Sequence, residues 1–337
     1  MFVNLAKDPA FNVASLSQAI NILPNNYGKV REMNLFPFKG VRTRVIYVEE
    51  QNGVLNLLQT QPIGAPGDAG ISGKRKVRSF VIPHIPHDDV VLPEEVEGVR
   101  AFGAEQDVLK TIADAVNEKL QSMKNKHSIT LEHLRMGALK GIILDADGST
   151  LYNLYTEFEI EAKEIDFVLG TATTKVINKC NELARHLEKN LKGEVMNGIH
   201  AFVSPEFFDK LTNHATVKEA YARWQNGEAL RSDMRKGFRF GPIMFEEYIG
   251  EATDKAGNVR KFITAEEGHA FPTGTNDTFK TFCAPADFNE TVNTIGQPIY
   301  AKISERKHGR GYDLHTQSNP LPLCARPGVL VKVKSSN

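Results

Sequence analysis

The sequence has few cysteines and no long hydrophobic run. Its three cysteines, Cys180, Cys283 and Cys324, lie far apart and form no C-x-x-C pair. An odd number of separated cysteines without a secretion signal predicts reduced, buried thiols in a cytoplasmic compartment rather than a disulfide framework. No apolar run approaches the roughly 20 residues that span a bilayer, so we predict no contact with a membrane. Residues 1–11 lack a charged region followed by an apolar core, so we expect no signal peptide.

An excess of charge of one sign is also missing. Lys plus Arg and Asp plus Glu each number 41, which gives a formal net charge of zero. A neutral chain exerts no long-range attraction on nucleic acid, and this disfavours a dedicated DNA-binding protein. Hydrophobic residues make up 41% and charged residues 24%, and the 337 residues are enough for two lobes.

Motifs of nucleotide, calcium and hydrolase sites are incomplete. Gly73 and Lys74 match the end of a P-loop, but Asp68 replaces its first glycine and Arg75 its hydroxyl residue. The stretch DADGST lacks the glycine and the glutamate of a calcium loop, because Thr150 and Thr156 stand at those positions. No G-x-S-x-G elbow is present. We predict a hairpin turn at DADGST, no catalytic residues and no cofactor.

The segment HIPHDD, residues 84–89, carries side chains that could bind a metal. Structural zinc sites need four ligands in a closed set, and no second cluster with matching spacing is present. Prolines hold the segment extended, so that alternate side chains point in opposite directions. We therefore predict no metal site, and an enzyme of unrecognised type on an α+β scaffold stays an alternative.

The order of hydrophobic patterns predicts an α+β fold, with segregated helices and antiparallel strand pairs rather than a regular βαβ alternation. Helices are predicted at residues 15–20, 103–123, 130–140 and 173–192, and a further helix begins at Ser204-Pro205-Glu206. Strands are predicted at residues 43–49, 54–58, 77–82, 142–144, 151–158, 199–203, 243–248, 260–264, 299–305, 311–316 and 329–334. The strands at 243–248 and 260–264 are predicted to form a second hairpin around residues 254–258.

Residues 1–40 read as an extended arm with one short helix. Their apolar side chains are interrupted by Pro9, Pro24 and Pro37 and show no sustained period. A segment this apolar must lie against its own body or against a neighbour.

Residues 41–82 are predicted to form a long two-stranded hairpin with a Gly- and Pro-rich tip. Two strands alone are marginal in water, so the hairpin needs a partner surface. It carries the basic run 74–78, and an acidic segment, 88–97, follows its base. A lone basic run can also touch phosphate or simply be solvated. We predict that the basic strand of one copy meets the acidic segment of a neighbour, with these contact candidates: Lys74, Arg75, Lys76, Arg78, Asp88, Asp89, Glu94, Glu95 and Glu97.

Three stretches carry a resemblance to a known family. They are FVIPHIPHDDVVLPEEVEGVRAFG (80–103), ITLEHLRMGALKGIILDADGSTLYNLYTEF (129–158) and HGRGYDLHTQSNPLPLCARPGVLVKVK (308–334). With them, the chain resembles the lambda-type major capsid proteins of tailed phages (major capsid protein E family), which share the Hong Kong 97 fold. The resemblance implies an N-terminal arm at 1–40, an extended E-loop hairpin at 41–90, a P-domain with a spine helix at 91–195 and 290–337, and an axial A-domain at 196–289.

The function that this resemblance implies is self-assembly. The chain would form pentamers and hexamers of an icosahedral shell, enclose double-stranded DNA that contacts the inner face non-specifically, and work with scaffold and portal proteins. A decoration protein is left open. The family has no catalytic residues, so no enzyme is expected, and the location would be a virion capsid assembled in the host cytoplasm. The alternatives are a shell protein of a host-encoded compartment and an unrecognised α+β enzyme.

Overall fold

The computed structural model describes residues 12–22, 28–51, 75–97, 111–222, 234–254 and 256–336. The helices are α1 (Val13–Ile22), α2 (Lys29–Glu32), α3 (Ile112–Lys140), α4 (Leu154–Glu157), α5 (Val176–Asn190), α6 (Pro205–Asn213) and α7 (Ala215–Ala222). The strands are β1 (Phe38–Gly40), β2 (Val45–Gln51), β3 (Arg75–Val81), β4 (Ile85–Val91), β5 (Ile142–Leu144), β6 (Thr150–Asn153), β7 (Lys163–Asp166), β8 (Gly198–Val203), β9 (Phe238–Phe240), β10 (Ile243–Glu247), β11 (Glu251–Thr253), β12 (Val259–Lys261), β13 (Glu267–Thr273), β14 (Phe279–Cys283), β15 (Tyr300–Glu305), β16 (Tyr312–Ser318), β17 (Pro320–Cys324) and β18 (Val331–Lys334).

Helix α3 is the longest element, with 29 residues and a length of ~44 Å. Thr111 caps its first turn in a reciprocal pair with Asp114, and Gly141 ends it with a left-handed φ of 77°. The predicted helices 103–123 and 130–140 are therefore parts of one helix, and only the predicted break between them, at residues 124–129, was wrong. Residues 103–110 lie outside the described residues. The apolar period is interrupted by Lys124, His127 and Ser128, but these side chains are buried polar groups within one continuous helix.

A six-stranded mixed sheet lies at the centre of the larger core. Its order is β7-β18-β13-β8-β10-β9, and the β18–β7 and β10–β8 pairs are parallel. Buried aromatic rings of Phe202, Phe245 and Phe271 and of Phe207 on α6 pack within this core. The sheet combines strands from residues 163–166 and 331–334 with strands from 198–273, so it draws on two of the predicted domains. The domain boundaries themselves stay a prediction.

A second, smaller core lies between α1, the first half of α3 and the sheet β15-β16-β4. Leu16 and Ile20 of α1 are buried there against Leu120 and Met123 of α3 and Leu314 of β16. Ser17 Oγ accepts a hydrogen bond of 3.1 Å from the Ala301 amide, which fixes α1 on β15.

The arm is not simply extended in the described residues. Val30 of α2 and Phe36 are buried in the larger core, and β1 pairs in parallel with β14. The reason is that an apolar segment has more to gain by burial against its own body than by remaining in water. Residues 1–11 and 23–27 lie outside the described residues.

Two other strand predictions were wrong in detail. β10 pairs with β8 and β9, and the turn at 254–258 instead joins β11 to β12. The strand predicted to run to residue 158 ends at Asn153, because the Asn153 side chain accepts hydrogen bonds from the backbone of Tyr155 and Thr156 and so begins α4.

Candidate assembly surface

The predicted hairpin is a two-stranded ribbon, residues 45–51 and 75–81, in which β2 pairs directly with β3. Val45 lies opposite Val81 and Tyr47 opposite Ser79, so these side chains share one face. The predicted strand 54–58 and the Gly- and Pro-rich tip lie outside the described residues.

The two faces of the ribbon differ in exposure. On the inner face, Ile46 and Phe80 are only 5% and 0% exposed. On the outer face, Tyr47, Val77 and Val81 are 70%, 56% and 58% exposed. Several large apolar side chains exposed on one face are typical of an interaction surface.

The inner face is held on the β5–β6 hairpin and α4. The Phe80 ring packs edge-on against Tyr152 with centroids 5.3 Å apart, and it stacks on Phe158 at 6.2 Å. The Tyr152 hydroxyl accepts a hydrogen bond of 2.8 Å from the Val81 amide and donates one of 2.9 Å to the Val81 carbonyl. The base of the ribbon is therefore fixed on the body of the same chain.

The basic candidates of the ribbon contact the segment that follows α4. Lys76 Nζ lies 2.6 Å from Glu159 Oε2. Arg78 donates a hydrogen bond of 2.6 Å to the Glu157 carbonyl, and its guanidinium carbon lies 4.6 Å from the centre of the Phe158 ring. Lys74 lies outside the described residues, as does the side chain of Arg75.

The acidic candidates lie on β4 and the turn that follows it. Asp88 pairs with His315 of β16, while Asp89 and Glu95 both contact Lys119 of α3, at 3.6 and 2.7 Å. Lys119 thereby joins β4 to the spine formed by α3.

The remaining acidic candidates, Glu94 and Glu97, are exposed. Within the described ranges no ion pair joins the basic candidates to the acidic ones. Contact between these two sets in different subunits stays a prediction.

The family model described as phage major capsid protein E matches residues 12–335. The chain belongs to this family. The resemblance in the three sequence stretches is confirmed, and the capsid protein acts by assembling with copies of itself into the icosahedral shell of a tailed phage.

Similar proteins agree with this family. The major capsid protein of Pseudomonas phage KPP10 is 30% identical to the capsid protein over an alignment of 343 positions, which covers 97% of each chain. Among solved structures, a prophage capsid protein from E. coli CFT073 matches with a TM-score of 0.61 at 14% identity, over 96% of this chain and 99% of that one. The mature capsid of bacteriophage PhiM1 matches with a TM-score of 0.55 at 12% identity, over 94% and 89%. At these identities the structures show a shared fold, which confirms the α+β capsid fold.

The three cysteines of the capsid protein are free and buried. Burial raises the pKa of Cys180, Cys283 and Cys324 to about 12, so each thiol stays protonated. In the same residues, no three side chains of His, Cys, Asp or Glu are grouped to hold a metal ion. None of the described helices is long and apolar enough to cross a membrane.

Sequence reasoning missed the residues that bind the arm. Glu132 of α3 is 2% exposed, and its Oε1 accepts hydrogen bonds from the Val30 amide at 2.8 Å and the Tyr248 hydroxyl at 3.1 Å. Burial raises the pKa of Glu132 despite these donors. The available signal was a carboxylate between Leu131 and Leu134 in the predicted helix 130–140.

A second carboxylate connects the arm to the central sheet. Glu246 of β10 contacts Lys29 Nζ at 3.1 Å and His200 Nε2 at 3.0 Å. Burial alone would raise the pKa of Glu246, but its close contacts with His200 and Lys29 hold this pKa below its usual value. The arm is thus docked by polar contacts as well as by Val30 and Phe36.

Proposed function

We propose that the ribbon is the clasp by which one capsid protein subunit holds its neighbour in pentamers and hexamers. The outer face of the ribbon, defined by Tyr47, Val77 and Val81, supplies the single observation that carries the proposal: three large apolar side chains stay exposed on an element whose other face is anchored. A neighbour covering this face would remove that apolar area from water, at about 25 cal/mol per Å².

The proposed domains, location and partners follow from membership of the capsid family. Residues 1–40 act as the arm, 41–90 as the E-loop, 91–195 with 290–337 as the P-domain, and 196–289 as the A-domain. Assembly takes place in the host cytoplasm with scaffold and portal proteins, and packaged double-stranded DNA contacts the inner face without sequence preference. The chain has no catalytic role.

Assembly of the Val77→Asp variant tests the clasp. A carboxylate on the outer face cannot be buried without a large desolvation cost, so we expect soluble subunits in place of shells. Negative-stain electron microscopy and sedimentation of the overexpressed chain measure the products.

The matched control is Val77→Thr, which keeps the shape and strand propensity of valine and should still form shells. Circular dichroism must show that both variants are folded. Normal shells from folded Val77→Asp would refute the clasp.

A further inference from the structure

A cavity of about 220 Å³ lies between the arm and the middle of α3. Its wall includes Arg31 of α2 and the side chains of Lys124, Glu132 and Arg135 from α3. Three of these four groups are cationic, and the two on α3 are deeply buried, with Lys124 and Arg135 only 2% and 3% exposed.

Arg135 lacks a counter-charge in direct contact. Its Nη2 lies 3.4 Å from the Phe36 carbonyl, a long hydrogen bond, and its guanidinium carbon lies 5.2 Å from the centre of the Phe38 ring. Its Nε has no hydrogen-bond partner. Arg135 forms no direct ion pair within the described residues, although the charge of Glu132 attracts it. Burial lowers the pKa of Arg135 to about 10. A buried cation without a paired anion is strongly destabilising, so the cavity favours a ligand that supplies negative charge.

Glu132 is the carboxylate of this wall, and its attraction to Arg135 supplies only part of that negative charge, because the two groups form no direct ion pair. Glu132 accepts hydrogen bonds at Oε1 from the Val30 amide and the Tyr248 hydroxyl, whereas its buried Oε2 lies against Gly28 and accepts no hydrogen bond from the described residues. His127, also in the wall, has both ring nitrogens within 3.0 Å of the hydroxyls of Thr316 and Ser318. Burial lowers the pKa of His127 to about 4, so this ring is neutral at pH 7.

We propose that this cavity binds one small tetrahedral oxyanion of the phosphate or sulfate class, held by Arg135, Lys124 and Arg31. The planar fork of an arginine matches two oxygens of such an ion, and a lysine adds a point charge. The volume of the cavity accommodates the ion with a few waters, since each water occupies about 30 Å³.

The bound ion joins two parts of the fold. Arg31 belongs to α2 of the arm, while Lys124 and Arg135 belong to α3. Binding therefore stabilises the docked arm, independently of what the shell later contains.

Equilibrium dialysis of the purified full-length chain against radiolabelled inorganic phosphate tests the site. We expect saturable binding of one ion per chain, displaced by sulfate but not by chloride. Arg135→Met and Lys124→Met should each weaken binding by about tenfold or more, because each removes charge-assisted hydrogen bonds. Lys126→Met is the matched control: it removes one exposed charge from the same helix, and binding should not change.

Thermal unfolding gives a second measurement on the same chains. The midpoint of the parent chain should rise with phosphate and then saturate, whereas the general salting-out effect of phosphate rises without saturation and is equal in all variants. Arg135→Met removes a buried charge that has no direct ion-pair partner, so we expect this variant to fold in phosphate-free buffer. If it does not fold, Lys124→Met is compared with the parent chain instead. Absence of saturable binding, or equal affinity in the parent chain and both variants, overturns the proposal.

Discussion

Gly28 of the arm lies so close to Glu132 that a Cβ atom at position 28 would conflict with docking of the arm. Gly28 has a φ of 105°, and a Cβ at this position would lie 2.6 Å from Glu132 Oε2. The same carboxylate accepts the Val30 amide, so the close approach of the backbone and the hydrogen bond depend on each other. Only glycine combines this φ with the space available.

We predict that Gly28→Ala lowers the free energy of unfolding by about 2 to 3 kcal/mol, from backbone strain and the steric conflict together. Gly257→Ala is the control, because Gly257 also has a positive φ, 86°, but a Cβ there would meet nothing within 4 Å. Its cost should be about 1 kcal/mol. Chemical denaturation of the unassembled chains measures both, and equal losses would contradict the role of Glu132.

The lowered pKa of His127 makes the stability of the folded chain depend on pH. Its pKa falls from 6.5 to about 4 because of burial, with His87 and His315 adding repulsion of the protonated form. The unfolded chain then binds a proton that the folded chain does not, so stability is unaffected above pH 6.5 and falls as the pH drops from 6.5 to 4.

We expect the His127 contribution to this loss to be roughly 2 to 3 kcal/mol. Unfolding curves of the parent chain and of His127→Gln between pH 7 and 4 isolate it, because other buried histidines act in both chains. A slope that is the same in the two chains would refute the assignment.

Helices and strands whose apolar residues recur at a regular spacing could be predicted from the sequence. Elements that depend on contacts with distant parts of the chain could not. The ribbon strands, α5 and the helix start at Ser204 follow local rules. β17 was missed because Pro320 and Pro322 argue against a strand, yet it lies at the edge of the sheet β1-β14-β17, where proline is tolerated. α3 was divided because its polar middle finds its partners on the arm and on β16.

At the candidate surface, the sequence indicated the family and the ribbon. It did not indicate which residues the ribbon and the arm contact. The partner of Lys76 is Glu159, 83 positions away, and no local pattern connects the two. The contact of Glu132 with Val30 spans 102 positions.

We predict that Tyr152→Phe loosens the base of the ribbon. The variant loses a hydroxyl that bonds both to the amide and to the carbonyl of Val81, which costs about 1 to 2 kcal/mol locally. Hydrogen exchange read by mass spectrometry should become faster in residues 45–51 and 75–81. Tyr155→Phe is the control, because the Tyr155 hydroxyl has no hydrogen bond with the described residues, and it should leave ribbon exchange unchanged.

At the scale of the whole molecule, charge has two candidate roles in the ribbon. Lys76 contacts Glu159 of its own chain, an exposed pair of about 0 to 1 kcal/mol. The sequence also predicts that Lys74, Arg75 and Lys76 meet the acidic segment of a neighbour. Charge-swapped variants separate the two roles.

We expect the triple change of Lys74, Arg75 and Lys76 to Glu to impair assembly at physiological salt while the subunit stays folded. Adding Glu94→Lys and Glu97→Lys should restore shells in electron micrographs if the pairing is between subunits. If Glu159→Lys restores shells instead, the effect belongs to the contact within one chain. Normal assembly of the triple variant would contradict both roles of the ribbon charges.

The position of β18 has a consequence for the order in which the protein can be made. β18 lies between β7 and β13 in the central sheet, and the ribosome synthesises it after every other strand of that sheet. A nascent chain, or one cut short by premature termination, therefore exposes the unpaired edges of β7 and β13. We expect such a chain to be unable to join a growing lattice, so that incorporation would require completed translation.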